Sequence, residues 1–256
     1  MLGAITGDIV GSIYEFDNNR QTSFPLFTPE SDFTDDTVLT VATAECLLSG
    51  GDYTVFYKEY GHRFPGRGYG GRFQEWLESN STLPYNSYGN GSAMRVSPAG
   101  FAFRTLEETL YEAQRSAVAT HNHPEGVKGA QAVAAAIFLS RRGRAREYIR
   151  EFITNAFGYD LSRSSDEIRP GYAFNETCRG SVPEAIIAFL ESTDFESALR
   201  LAVSLGGDSD TIACITGSIA EAYYGGVPEP IAAEVWRRLP DELAEVVDRF
   251  HRRFAI

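Results

Sequence analysis

Gly206-Gly207-Asp208-Ser209-Asp210-Thr211, followed by the apolar run Ile212 to Tyr224, decides how this chain is read. The two glycines free the backbone, and two carboxylates and a hydroxyl follow at once. Ile212, Ile215, Ile219 and Ala222 or Tyr223 recur at helical spacing, which predicts a buried helix. Gly225-Gly226 and Pro228 stop it. Asp208 then falls at or near the helix start, where a side-chain oxygen caps free N–H groups. Two Asp and a Thr in four residues supply more oxygen ligands than one cap needs.

Far upstream, Asp32-Phe33-Thr34-Asp35-Asp36-Thr37 opens a second apolar helix, closed by Gly50-Gly51. Taken alone, each cluster is satisfied by an ordinary N-cap. If the two starts meet, Asp35, Asp36, Asp208 and Asp210 concentrate four negative charges. Helix dipoles offset only about 0.3–1 kcal/mol each. Unpaired buried carboxylates cost several kcal/mol or become protonated. Divalent cations resolve the conflict, and oxygen ligands from Asp and Thr suit Mg²⁺, Mn²⁺ or Ca²⁺ better than zinc. An EF-hand is excluded at Asp208, because the later Asp/Asn, Gly and Glu positions are missing.

Composition narrows the class. The chain has 256 residues, enough for one large domain or two small ones, and 43% of them are hydrophobic. A net charge of −12 argues against general affinity for nucleic acid or anionic membranes. Cys46, Cys178 and Cys214 are widely spaced, with no CxxC, so reduced thiols in a cytoplasmic compartment are expected. No apolar stretch reaches a membrane span, and no signal peptide is visible.

In chain order, residues 3–15 predict an apolar helix with Gly3, Gly7 and Gly11 on one stripe, where a second helix can approach closely. Asp8 and Glu15, seven apart, would share a face of it. Residues 16–31 read as loop; helices are predicted over 34–49 and 52–63, the latter with a core face of Tyr53, Phe56, Tyr57 and Tyr60. The stretch Gly66-Arg67-Gly68-Tyr69-Gly70-Gly71 opens a further helix and offers backbone N–H groups to a phosphate or simply connects elements. It is not a Walker A loop. Ser87-Tyr88-Gly89-Asn90-Gly91 reads as a tight turn into a short helix; Tyr88 is either a surface aromatic or a ring for a base. Helix 105–119 leads into Thr120-His121-Asn122-His123, Pro124 is well placed at a first helical turn, and the next helix is predicted over Gly129–Leu139. His121 lacks the nearby Cys or third His of a zinc site. Helix 145–156, a long loop over 157–180, helices 183–191 and 194–204, and two terminal amphipathic helices, 228–238 and 240–254, complete the pattern. No strand series is present, so the expectation is an all-α, single-domain orthogonal multi-helix bundle spanning 1–256.

These motifs, in this order, resemble the ADP-ribosyl-glycohydrolase family, which includes the dinitrogenase-reductase-activating glycohydrolases and ADP-ribosyl-acceptor hydrolases. The resemblance runs from Gly3 to about Gly225 and rests on Gly7-Asp8…Gly11-Ser12 with Glu15, Thr34-Asp35-Asp36-Thr37, Gly66 to Gly70, Tyr88 to Arg95, Thr120-His121 and Gly206 to Thr211. It implies two Mg²⁺ (or Mn²⁺) ions in a dinuclear cleft, held by Thr34, Asp35, Asp36, Asp208, Asp210 and Thr211. It further implies catalytic roles for Glu15, Asp36 and Asp210. Substrate contacts are implied at Gly66, Gly68, Tyr69, Gly70, Ser87, Tyr88, Gly89, Asn90 and His121. The implied reaction cleaves the C1″ glycosidic bond of an ADP-ribosylated protein or small molecule and releases ADP-ribose; nucleic acid enters only as an ADP-ribosylated acceptor. An aromatic that this branch often places six residues before the Tyr-Gly-Asn motif is replaced by Thr82.

Two other classes stay open at this stage. A dinuclear phosphoester or nucleotide hydrolase would use the same carboxylates, although the Asp-x-Asp-Gly-Thr motif of one phosphatase class is absent. A non-catalytic ADP-ribose-binding member would keep the fold alone.

Overall fold

The computed structural model describes residues 1–254. It is all-α: among the described residues the only β pairing is one isolated antiparallel bridge, Gly89 with Thr177. The helices that build the site are α1 (Leu2–Gly11), α2 (Asp35–Ser49), α3 (Tyr53–Arg63), α4 (Gly71–Glu78) and α5 (Gly91–Met94). They are followed by α6 (Ser97–Ala102), α7 (Leu106–Val118), α8 (Pro124–Arg141), α9 (Arg146–Phe157) and α10 (Ser165–Ile168). The chain ends with α11 (Cys178–Glu191), α12 (Phe195–Leu205), α13 (Ser209–Tyr224), α14 (Glu229–Arg238) and α15 (Asp241–Phe254).

Helix α13 is the axis, buried from Ser209 to Glu221 and packed against α1, α8, α11 and α12. Its closest neighbour is α1, and the glycine stripe is the reason. A Cβ on Gly3 would overlap the Gly217 carbonyl, one on Gly7 the Ala213 carbonyl, and one on Gly11 the Ser209–Asp210 backbone. The two backbones therefore touch, and the end of α1 is pinned beside the start of α13. Helix α2 caps itself through Thr34, whose hydroxyl accepts from the Asp36 N–H, and ends on Gly50 in the left-handed conformation. Of the predicted core face on α3, Tyr53, Tyr57 and Tyr60 are buried and Phe56 is half-buried.

Several boundaries differ from the sequence expectation. Helix α8 starts at Pro124, ahead of the predicted Gly129, because the His123 side chain caps it by accepting from the Glu125 N–H. Helix α1 ends at Gly11 and a 3₁₀ turn, Ser12–Tyr14, follows, so Glu15 leaves a tighter coil and not the α-helical face of Asp8. The Ser12 hydroxyl donates to the Ile9 carbonyl at this change of coil. Helix α11 begins five residues before Pro183, because Thr177 caps it by accepting from the Gly180 N–H, and Pro183 lies inside. The loop 157–180 contains α10, closed by a Ser164/Glu167 capping box. The short α6 lacks a sequence period of its own and is buried between α2 and α8.

Candidate active site

The two acidic helix starts meet. The Thr211 hydroxyl at the start of α13 donates to Asp36 Oδ1 at the start of α2 over 3.3 Å, across 175 positions of chain. Carboxylate oxygens of Glu15, Asp208 and Asp210 all lie within 4.8 Å of one another. Thr34, Asp35, Asp36 and these three acids line one cavity of about 410 Å³, together with Thr211. Asn90 orients Asp208 by donating to its Oδ2 over 2.7 Å.

Asp8 supports this arrangement from behind. It is fully buried on α1 and accepts from both the backbone and the hydroxyl of Thr34, at 2.9 and 2.7 Å. It also accepts from the backbone N–H of Thr37, at 3.1 Å, and from the Thr37 hydroxyl. One carboxylate thus fixes the first turn of α2 to α1, and through the glycine stripe to α13.

The remaining wall is neutral to basic. Gly68, Gly70, Gly71 and Arg72 face the cavity at the start of α4, which has no side-chain cap and leaves N–H groups free. Gly68 holds a positive φ of 94°, and its loop hands the Arg67 carbonyl to the Asp35 N–H at 2.8 Å. Ser87, Tyr88, Gly89, Asn90 and His121 complete that side. The 172–174 segment lies against Gly207, and Phe174, Glu176 and Thr177 continue the wall from there. Gly66 and Tyr69 are not on the wall: Gly66 turns the loop at φ 74°, and Tyr69 packs on Phe73 with its hydroxyl donating to the Phe64 carbonyl.

Comparison with known proteins identifies the class. The family model described as ADP-ribosylglycohydrolase matches residues 1–255. The chain belongs to the ADP-ribosylglycohydrolase family. It is similar to the ADP-ribosylarginine hydrolase Tri1 of Pseudomonas putida (strain GB-1), 28% identical over 97% of this chain and 77% of the relative. It is also similar to the ADP-ribosylhydrolase ARH3 of Mus musculus, 27% identical over 99% of this chain and 90% of the relative. A solved structure described as an ADP-ribosylglycohydrolase-related protein complex superposes with a TM-score of 0.71, at 26% identity, covering 98% of this chain and 96% of that one. The chain is thus an enzyme of the hydrolase class, with an all-α glycohydrolase fold.

Crowded, buried carboxylates set the electrostatics of this glycohydrolase site. Burial, followed by the surrounding carboxylates, holds Asp35, Asp36 and Asp210 well above the usual carboxylate range. Burial also raises Asp208 and Asp8, against the hydrogen bonds each accepts. Glu15 is pushed up to about 7 by burial and by the charges of Asp208 and Asp8. Asp36 Oδ2 is buried and accepts no hydrogen bond. An orphaned carboxylate oxygen amid four further acids is what a divalent cation satisfies, so the donor set fits one. At the other end, burial and the guanidinium groups of Arg95 and Arg72 hold His121 neutral, well below the usual imidazole range.

One wall residue, Tyr85, was not legible in the sequence, and the support from Arg95 and Asp8 was legible only as motif positions. Tyr85, three residues before Tyr88, lines the cavity with its ring 6.1 Å from His121 and under the Arg72 guanidinium. It provides an aromatic wall near the position where Thr82 leaves a gap in the family pattern. Arg95 is fully buried, stacked on Tyr57, and donates to the Thr120 hydroxyl over 2.6 Å. A lone Tyr such as Tyr85 carries no local signal for such a place, whereas Arg95 closes the Tyr88-to-Arg95 motif of the sequence. Asp8 did carry one, as one of two charges, with Glu15, in the predicted apolar glycine helix.

Proposed function

We propose that this enzyme hydrolyses the bond between C1″ of an ADP-ribosyl group and its acceptor, releasing ADP-ribose, with two Mg²⁺ (or Mn²⁺) ions as cofactor. The observation that supports this reading is the convergence of Asp35, Asp36, Asp208, Asp210 and Glu15 on one end of a cavity whose remaining wall is suited to a nucleoside diphosphate.

Thr34, Asp35, Asp36, Asp208, Asp210 and Thr211 would hold the ions. When bound, they supply Lewis acidity toward sugar hydroxyls and lower the pKa of a water. Glu15, beside Asp208 and Asp210, takes the proton from the attacking water. Asp36 and Asp210 set the position of the reacting sugar, and Asn90 keeps Asp208 turned toward it. The free N–H groups at the start of α4, with Gly68 and Gly70, receive the diphosphate. Neutral His121 adds a polar contact there without adding charge. Tyr85 and Tyr88 offer ring faces to the adenine, while Gly66 and Tyr69 shape the loop behind. Binding energy from this remote half of the substrate serves to orient C1″. The three buried, unpaired cysteines support a reducing, cytoplasmic compartment.

The test is release of free ADP-ribose from ADP-ribosylated peptides with Mg²⁺, with Mn²⁺ and with chelator. Metal-dependent release is expected. Release of inorganic phosphate in its place, or tight ADP-ribose binding with no release from any linkage, overturns the assignment.

A further inference from the structure

Glu15 reaches the acidic end of the cavity without a helix to carry it. Helix α1 ends at Gly11 and the 3₁₀ turn ends at Tyr14, so Glu15 opens the loop that follows. It is half-buried, and one of its carboxylate oxygens lies within 4.8 Å of oxygens of Asp208 and Asp210. Like charges at that spacing push the turn outward, and the next residues, Phe16, Asp17 and Asn18, are exposed. Glu15 is not among the residues proposed to hold the ions. Another part of the chain has to keep it in place.

Asn18 has the geometry to do so. Its Nδ2 donates to the Tyr14 carbonyl at 2.8 Å and to the Glu15 carbonyl at 2.9 Å, which closes the turn on itself. The same Nδ2 donates to the Gly207 carbonyl at 3.0 Å, and Oδ1 accepts from the Gly207 N–H at 2.8 Å. Gly207 directly precedes Asp208. One amide therefore grips both the turn that presents Glu15 and the peptide that presents Asp208, across 189 positions of chain. Gly207 offers a donor and an acceptor together, so its partner must supply both; a carboxamide does and a carboxylate does not.

The flanking parts are held separately. Arg20 secures the loop further on, donating to the carbonyls of Leu205, of Arg169 at 2.9 Å and of Tyr172 at 2.7 Å. Asp208 has a second support in the 2.7 Å bond from Asn90, and it stands at the start of the buried helix α13. Removing the Asn18 amide thus frees the Glu15 turn, while Arg20 keeps the loop on the body and Asp208 stays where it is.

We propose that Asn18 is a positioning residue for the reaction: its amide staples the Glu15 turn to Gly207 and so fixes the Glu15 carboxylate beside Asp208 and Asp210. The proposal rests on the C1″ hydrolase reading above, with Glu15 as proton acceptor.

The experiment compares wild type with Asn18→Ala, Asn18→Asp, Glu15→Gln and the Asn18→Ala/Glu15→Gln double variant. Rates of ADP-ribose release are measured with Mg²⁺ on an ADP-ribosylated peptide that wild type hydrolyses, Mn²⁺ affinity by calorimetry, and amide hydrogen exchange by mass spectrometry. Position 18 is exposed, and circular dichroism reports that the fold is intact. Asn18→Ala should lose about 10–100-fold in kcat, the effect of moving a reacting group by about 1 Å. Its KM and Mn²⁺ affinity should stay within about threefold of wild type, and exchange at Gly207 should be faster. Asn18→Asp, which keeps the acceptor and loses the donations, should be no better than Asn18→Ala. In the Glu15→Gln background, adding Asn18→Ala should cost less than about threefold, because the group it positions is already gone. Wild-type kcat in Asn18→Ala or Asn18→Asp, or an equal loss in both backgrounds, overturns the positioning role and leaves C1″ hydrolysis standing. So does a Mn²⁺ affinity that falls as far as kcat, or unchanged exchange at Gly207. Absence of release by wild type from every ADP-ribosylated peptide overturns the hydrolase reading and this proposal with it.

Discussion

Removing the Asp8 carboxylate tests whether the site is organised from behind. Asp8 accepts four hydrogen bonds, two from backbone N–H groups and two from hydroxyls of Thr34 and Thr37. In Asp8→Ala both hydroxyls can rotate to other acceptors, but the two N–H groups cannot follow. Each stranded buried donor costs about 1–3 kcal/mol, so the variant should lose about 2–6 kcal/mol of stability. Asp8→Asn differs. Oδ2 receives three of the four bonds, and an amide oxygen placed there keeps all three. The amide NH₂ then faces the Thr34 hydroxyl, which can accept; a loss of about 1 kcal/mol is expected, mostly for exchanging a charged acceptor for a neutral one. Urea unfolding followed by circular dichroism measures both. Mn²⁺ titration by calorimetry should show affinity falling about 10–100-fold in Asp8→Asn, because Thr34 and the first turn of α2 are held less firmly. An Asp8→Ala midpoint equal to wild type, or Asn as damaging as Ala, would refute the hydrogen-bond count as the source of the effect.

Other outcomes are expected from the same geometry. Gly7→Ala drives a methyl into the Ala213 carbonyl and must separate α1 from α13; at least about 1–3 kcal/mol should be lost in urea unfolding, and a neutral substitution would mean the helices can part freely. Asp210→Ala should abolish metal-dependent ADP-ribose release and weaken Mn²⁺ binding, whereas Glu15→Gln should lower kcat with Mn²⁺ affinity nearly kept; Glu15→Gln turnover at the wild-type rate would remove the proton-transfer role. Burial lowers His251 from 6.5 to about 4, and its Nε2 accepts and donates nothing. The unfolded chain thus binds the extra proton between those values, so this contribution is complete above pH 6.5 and is lost as pH falls toward 4. Wild type should lose about 2 kcal/mol relative to His251→Leu between pH 7 and 5 in paired denaturation curves, and parallel curves would refute the shift.

Much of the fold was legible because helices announce themselves locally. The Ile212/Ile215/Ile219 period and the Gly50 and Gly225 stops each involve neighbours within a few residues, and α2 and α13 run close to where they predict. The glycine stripe of α1 likewise foretold a close helix partner. Where local signals conflicted, the reading failed: Pro183 suggested a helix start, but the Thr177 cap, six residues before Pro183, begins α11 earlier. A 3₁₀ turn after Gly11 was hidden inside an apolar run that fits an α-helix equally well.

The sequence by itself determined the inventory of the site, because a crowd of carboxylates and hydroxyls ahead of an apolar helix is a local pattern. Tertiary structure alone decided that the inventory converges. Asp36 and Thr211 meet only because Gly7 and Gly11 let α1 lie on α13 while Asp8 ties α2 to α1. The same packing brought Tyr85 beside His121 and Phe16 against Phe174, and left Gly66 and Tyr69 off the wall. No periodicity reports contacts between residues more than a hundred positions apart, since they depend on how the helices fit together and not on any one helix.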